Sequence, residues 1–119
     1  MAHKRPDRIA GQVHNELSRM LREDVSDPRI GQVSITDVQV TPDLKRAMIR
    51  VLPLGGEGDR GQVLEGLAAA AGYLRGRVGR NLGLRHAPIL IFELDVHLEK
   101  AVRMTDILNR LVIGEGGEE

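Results

Sequence analysis

Apolar residues in the first part of the chain recur at helical spacing. Ile9, Val13, Leu17, Met20 and Leu21 fall three or four apart, with Arg8, Gln12, Asn15, Arg19 and Arg22 opposite them. This predicts an amphipathic helix over Arg5–Arg22, with Pro6 suited to its first turn. Asp27-Pro28 and Gly31 close the segment. From Gln32 to Val40 the period drops to two. Val33 and Ile35 alternate in one phase, Val38 and Val40 in the other. A single strand can hold both phases if a bulge sits near Thr36-Asp37. Thr41-Pro42-Asp43 reads as a turn. Arg46–Leu52 then alternates Ala47, Ile49 and Val51 against Arg46 and Arg50, predicting a second strand in an antiparallel hairpin.

Leu54–Gly61 (LGGEGDRG) reads as a loop, and no Gly-Lys-Ser/Thr follows to make it a phosphate loop. Helical spacing returns with Val63, Leu67, Ala71, Leu74, Val78 and Leu82. The pattern fits one helix, or two with a break at Gly72. Pro88 opens a third strand, Ile89–Val96, with Leu90, Phe92, Leu94 and Val96 on one face. Leu98–Val112 reads as a last helix with Ala101, Met104, Leu108 and Leu111 inward. Glu99–Arg103 and Asp106–Arg110 would be supporting pairs. The helical crossover between the second and third strands predicts a right-handed connection. The result is an α+β fold, a three-stranded sheet with helices on one face. It would form one domain over residues 1–113, with a disordered acidic tail over 114–119.

Composition narrows the chemistry. Cysteine is absent, which excludes disulfides and thiolate metal sites. No apolar run approaches membrane-spanning length and MAHKRPDR has no signal-peptide core, so the cytoplasm is expected. The 17 basic and 17 acidic residues cancel, but unevenly along the chain. Residues 66–92 hold Arg75, Arg77, Arg80 and Arg85 and no carboxylate, with Gly72, Gly76, Gly79 and Gly83 interleaved. Cations on a backbone that another chain can approach closely suit a phosphate-bearing partner. Tyr73 and Phe92 are the only aromatic residues, too few for a stacked-base platform. Recognition should rest on shape and phosphate contact.

The element order resembles the type II K-homology fold, αββααβ, here followed by a C-terminal helix. RPDRIAGQVHNELSRML, DPRIGQVSITDVQVTPDLKRAMIRV, AAGYLRGRVGRNLGLRHAPILIFELD and RMTDILNRL further resemble the ribosome-binding factor A family over residues 5–112. That family replaces the Gly-x-x-Gly loop of ordinary K-homology domains with a helix–kink–helix marked Ala-x-Gly. Ala70-Ala71-Gly72 fits it. Gly76-Arg77-Val78-Gly79 also spells Gly-x-x-Gly, but a loop there would leave barely two turns before Pro88.

A helix starting at Tyr73 would bury Leu74, Val78 and Leu82 and expose Tyr73, Gly76, Arg77 and Arg80, with Arg75 flanking the buried stripe. A base could stack on Tyr73, or the ring could cap the core edge. A kink at Gly72 would open a helix N-terminus to phosphates. The candidate RNA-binding residues are therefore Ala70, Gly72, Tyr73, Arg75, Gly76, Arg77, Arg80 and Arg85, with Arg5, Arg8, Lys45 and Arg46 secondary.

Catalysis finds little support. His3, His14, His86 and His97 are scattered, and neither metal nor cofactor is expected. The resemblance implies an assembly factor that binds the immature small (30S) ribosomal subunit and promotes 16S rRNA maturation near its 5′ end. It would act as a monomer, with an assembly GTPase as a candidate for driving release. The alternative is a protein–protein adaptor on the same fold that does not touch RNA.

Overall fold

A computed structural model describes residues 4–54 and 60–117. Its elements are α1 (Lys4–Glu23), β1 (Val33–Val40), β2 (Arg46–Pro53), α2 (Arg60–Asn81), β3 (Ile89–Leu94) and α3 (Val96–Gly117). Of the loop read over Leu54–Gly61, residues 55–59 lie outside the described residues.

The sheet order is β1-β2-β3, with β1–β2 antiparallel and β2–β3 parallel across the α2 crossover. Ala47, Ile49 and Val51 of β2 are fully buried on the face that α1 and α2 cover. Ile9, Val13, Leu17 and Met20 supply α1's share of that core. Each such side chain contributes on the order of 2 kcal/mol by leaving water. The register slips between Ile35 and Asp37, leaving Thr36 as the extra residue of a bulge. The bulge carries Val38 and Val40 back toward the core. It also aims the Thr36 hydroxyl at Asp95, to which it donates at 2.6 Å.

Three expectations are corrected. First, α2 is continuous from Arg60 to Asn81, with no break at Ala70–Gly72, so two expected helices are one. Val63, Leu67, Leu74 and Val78 form one buried stripe in a single phase across Gly72. Ala68–Ala71 favours helix, and one glycine costs only about 1 kcal/mol against it. No helix N-terminus therefore opens at Gly72.

Second, β3 ends at Leu94. Asp95 instead caps α3, accepting from the Leu98 N–H at 2.9 Å, so Val96 belongs to the helix. Third, Ala101, Met104, Leu108 and Leu111 do not face inward: α3 is exposed on all sides along residues 100–112. α1 and α2 already cover the sheet's apolar face, and its outer face carries the Arg50–Glu93 ion pair at 3.1 Å. That outer face mixes exposed Ile89 and Ile91 with charged side chains, and α3 does not fold back over it. α3 is tied down at its root by Asp95 and by an Arg60–Glu99 pair at 3.1 Å. Its own Glu99–Arg103 and Asp106–Arg110 pairs form as expected, at 3.4 and 2.6 Å. Its backbone stays helical to Gly117, into the tail expected to be disordered from Gly114; residues 118–119 lie outside the described residues.

Candidate nucleic-acid interface

The candidate interface is built where α2 ends. Gly83 takes a left-handed φ of +65°. Its N–H donates to the Arg80 carbonyl at 3.3 Å, and the Leu84 N–H donates to the Gly79 carbonyl at 2.8 Å. This pair of hydrogen bonds closes the helix and turns the chain sharply, as a left-handed glycine allows. Residues Leu84–Pro88 then run back beside α2. Arg75 fixes that return: its Nε and Nη2 donate to the Ala87 carbonyl at 3.1 and 3.0 Å. A Cβ on Gly79 would stand 3.2 Å from the Ala87 Cβ, so this glycine lets the return pack closely.

Two depressions flank the return segment. The first is an open groove of about 480 Å³ along α2, floored by Gly72, Gly76 and Gly79 and edged by Arg75, Arg80 and Arg85. A Cβ at Gly72 or Gly76 would meet nothing within 4 Å, so neither glycine is required by internal packing. The second is a more enclosed cleft of about 510 Å³ at the hairpin-turn end of the sheet. Arg5, Lys45, Arg75 and Arg85 stand around it, with Ile9, Leu44, Leu84, Pro88 and Ile89 providing apolar surface. Leu44 reaches its place with a left-handed φ of 62°, a conformation disfavoured for a branched side chain.

The structure thus divides the expected residues. Arg5, Lys45, Arg75 and Arg85 converge on the cleft; Gly72, Gly76 and Arg80 share the groove with Arg75 and Arg85. Among the described residues, no carboxylate forms an ion pair with Arg5, Lys45, Arg75, Arg80 or Arg85. Arg8 and Arg46 are exposed but line neither depression. Ala70 is partly buried against the core and lines neither depression.

Tyr73 and Arg77 turn toward each other. The ring is about half exposed, and the guanidinium lies 5.8 Å from its centre. Arg77 also donates to the Tyr73 hydroxyl at 3.4 Å and approaches Asp24 at 3.9 Å. One ring face is therefore already covered by a cation, and Arg77 is partly neutralised from within.

Leu44, Leu84, His86 and Ile89 line the cleft beside Arg5, Lys45, Arg75 and Arg85, an arrangement that sequence spacing did not reveal. They come from the hairpin turn and the return segment, far apart in the chain. The one acid at the cleft, Asp43, accepts the Thr41 hydroxyl at 2.6 Å and the Lys45 N–H at 3.0 Å. These bonds, the hydroxyl first, hold its carboxyl below the ordinary carboxylate range. Among the described residues, no group of three or more His, Asp or Glu side chains is placed to hold a metal ion. No helix among them is long and apolar enough to cross a membrane.

Comparison with known proteins identifies the family. The sequence profile of ribosome-binding factor A matches residues 5–108. Ribosome-binding factor A of Desulforamulus reducens is 43% identical over 111 residues, covering 93% of this chain and 92% of that protein. The crystal structure of ribosome-binding factor A from Thermus thermophilus superposes with a TM-score of 0.67 at 19% identity. It covers 75% of this chain and 94% of that one. The Thermus thermophilus protein as fitted into a cryo-EM map of a 30S complex gives a TM-score of 0.61 at 20% identity, covering 71% and 88%.

Proposed function

The chain belongs to the ribosome-binding factor A family, and on that premise we propose that it binds the immature small ribosomal subunit through 16S rRNA. The carrying observation is the groove along α2: Arg75, Arg80 and Arg85 beside bare glycine backbone, with no carboxylate paired to them among the described residues. Guanidiniums without a carboxylate partner keep their full charge for phosphate oxygens, and Gly72 and Gly76 let a sugar–phosphate backbone come close. The relative fitted into a 30S complex supports the choice of the small subunit.

On this reading the chain acts in the cytoplasm as a monomer without catalysing a reaction. It favours one rRNA conformation by binding it more tightly than its alternatives, which promotes maturation near the 16S 5′ end. A later rearrangement, with an assembly GTPase as its candidate driver, releases it.

The exposed stripe of α3, with Leu98, Met104, Leu108 and Leu111, favours a second reading in which the chain is a protein–protein adaptor that does not touch RNA. Salt separates the two. Neutralising four phosphates should cost roughly 50-fold in affinity between about 50 and 200 mM salt, whereas an apolar contact would barely change. Co-sedimentation with small subunits across that range is the test. A flat salt response would overturn the phosphate reading.

A further inference from the structure

The cleft beside the groove has a different chemistry from the groove itself. The groove is open and floored by backbone, which suits phosphates alone. The cleft is concave, is apolar inside, and carries cations at its edge. A volume of about 510 Å³ falls within the range of small-molecule sites. Ile89, one of its lining residues, is about half exposed, an apolar residue outside the buried core. Its position is fixed, because the Ile89 N–H donates to the Lys45 carbonyl at 2.8 Å and so locks the return segment to the hairpin turn.

In an RNA duplex the base faces are stacked on one another, and only edges, riboses and phosphates reach the outside. Such a rod cannot fill an apolar hollow. A nucleotide turned out of its stack presents an apolar face and carries a phosphate on each side. Arg5, Lys45, Arg75 and Arg85 supply four cations against the single acid Asp43, so the rim's charge complements that strand.

Resting on the rRNA-binding reading above, we infer that the cleft between the α1 start, the Asp43–Lys45 turn and the Leu84–Ile89 segment receives one unstacked nucleotide of a single-stranded RNA segment. Arg85 lines both depressions and joins them, so the strand leaving the cleft continues along the glycine groove. The partner is thus a junction or single-stranded stretch of RNA, and the base is held chiefly by its face.

The test is fluorescence anisotropy of the full chain with a labelled single-stranded RNA hexamer. It is competed with the same sequence as a duplex, with a hexamer lacking its bases, and with adenosine monophosphate. The base-free strand and the duplex should each bind severalfold more weakly than the intact strand, because neither offers an unstacked base face to the apolar lining. Adenosine monophosphate should not displace the strand at equal concentration. Equal binding of the base-free strand or of the duplex would overturn the inference, and efficient displacement by the mononucleotide would make this a free-nucleotide site instead. Ile89→Asp should remove the difference between the intact and base-free strands and leave the weak, salt-sensitive remainder; a retained difference overturns the inference.

Photo-cross-linking of a 4-thiouridine strand to the unaltered protein keeps the test independent of folding. Adducts within Leu44–Lys45 or Leu84–Ile89 support the cleft, and adducts confined to other surfaces overturn it. Small-subunit binding that persists while the strand ignores its bases would sink this inference and leave the function reading standing. Absence of subunit binding by the unaltered protein would sink that reading itself.

Discussion

Arg19 in α1 and the arginines at and just after the end of α2, Arg80 and Arg85, are occupied differently. Arg19 of α1 meets Glu16 at 2.5 Å, Glu23 at 3.1 Å and Asp24 at 3.4 Å. Glu16 also accepts from Asn81 Nδ2 at 2.7 Å, so the network ties α1 to the end of α2. Arg80 and Arg85 form no ion pair with any carboxylate among the described residues. The same residue type is structural at Arg19 and available at Arg80 and Arg85. Counting arginines therefore says little about polyanion binding. Which cations keep internal partners says much more, since a phosphate must displace those partners before it can bind.

The sharpest way to break this contrast is to invert charge at each of the two places in turn. Arg80→Glu with Arg85→Glu should weaken small-subunit binding on the order of 100-fold at moderate salt, with the circular dichroism spectrum unchanged. Arg19→Glu should instead lower the melting temperature and leave binding within about twofold. If both charge inversions behaved alike, the distinction between occupied and free guanidiniums would fail.

The glycines in and after α2 repeat the contrast. Gly83→Ala forces a left-handed Cβ and should cost about 1 kcal/mol, read as a fall of about 5 °C in melting temperature. Gly76→Ala should do the opposite. Its Cβ meets nothing within 4 Å, and helix propensity alone should add about 0.5–1 kcal/mol of stability. On the rRNA-binding reading, subunit binding should nonetheless fall severalfold, because the methyl group would stand where that reading brings phosphate in. A stabilised variant with full binding would show that the groove is not used.

The smallest effect concerns pH. Hydrogen bonds lower the carboxyl pKa of Glu16, through Arg19 and then Asn81, and of Asp95, through the Thr36 hydroxyl and then the Leu98 N–H. Because the folded values lie below the unfolded ones, these contributions are complete above about pH 4.5 and vanish as pH falls through the folded values. Melting temperature should be level above about pH 5 and decline below about pH 4. Glu16→Gln should flatten part of that decline.

Much of the fold was legible because it depends on local periodicity. The reversal of alternation between Ile35 and Val38 located the bulge, and the structure places the extra residue at Thr36. The stripe Ile9, Val13, Leu17 and Met20 located the inner face of α1. The continuity of α2 was harder to see. A glycine in a strong helical context is compatible with a bend or a straight run, and the deciding fact is the single-phase burial of Val63, Leu67, Leu74 and Val78. α3 shows a limit of another kind. Amphipathic spacing reveals an apolar stripe but not whether the helix folds back over the sheet. The cleft was legible only in its charges. Arg5, Lys45, Arg75 and Arg85 belong to distant segments, and the meeting of their apolar neighbours is a property of the assembled sheet end. The separate status of Arg77 rests on Asp24 and Tyr73, contacts that no spacing rule joins.

The outward course of α3 makes the particle long and thin. Its principal extents are 62 × 38 × 21 Å and its radius of gyration is 17.1 Å, where a compact chain of this length would have about 13 to 14 Å. Such a shape drags more solvent than its 13.1 kDa mass implies. Gel filtration calibrated on globular standards will therefore report an inflated apparent mass for a single chain. Light scattering or sedimentation equilibrium, which weigh the particle rather than gauge its friction, are the measurements that can count subunits here.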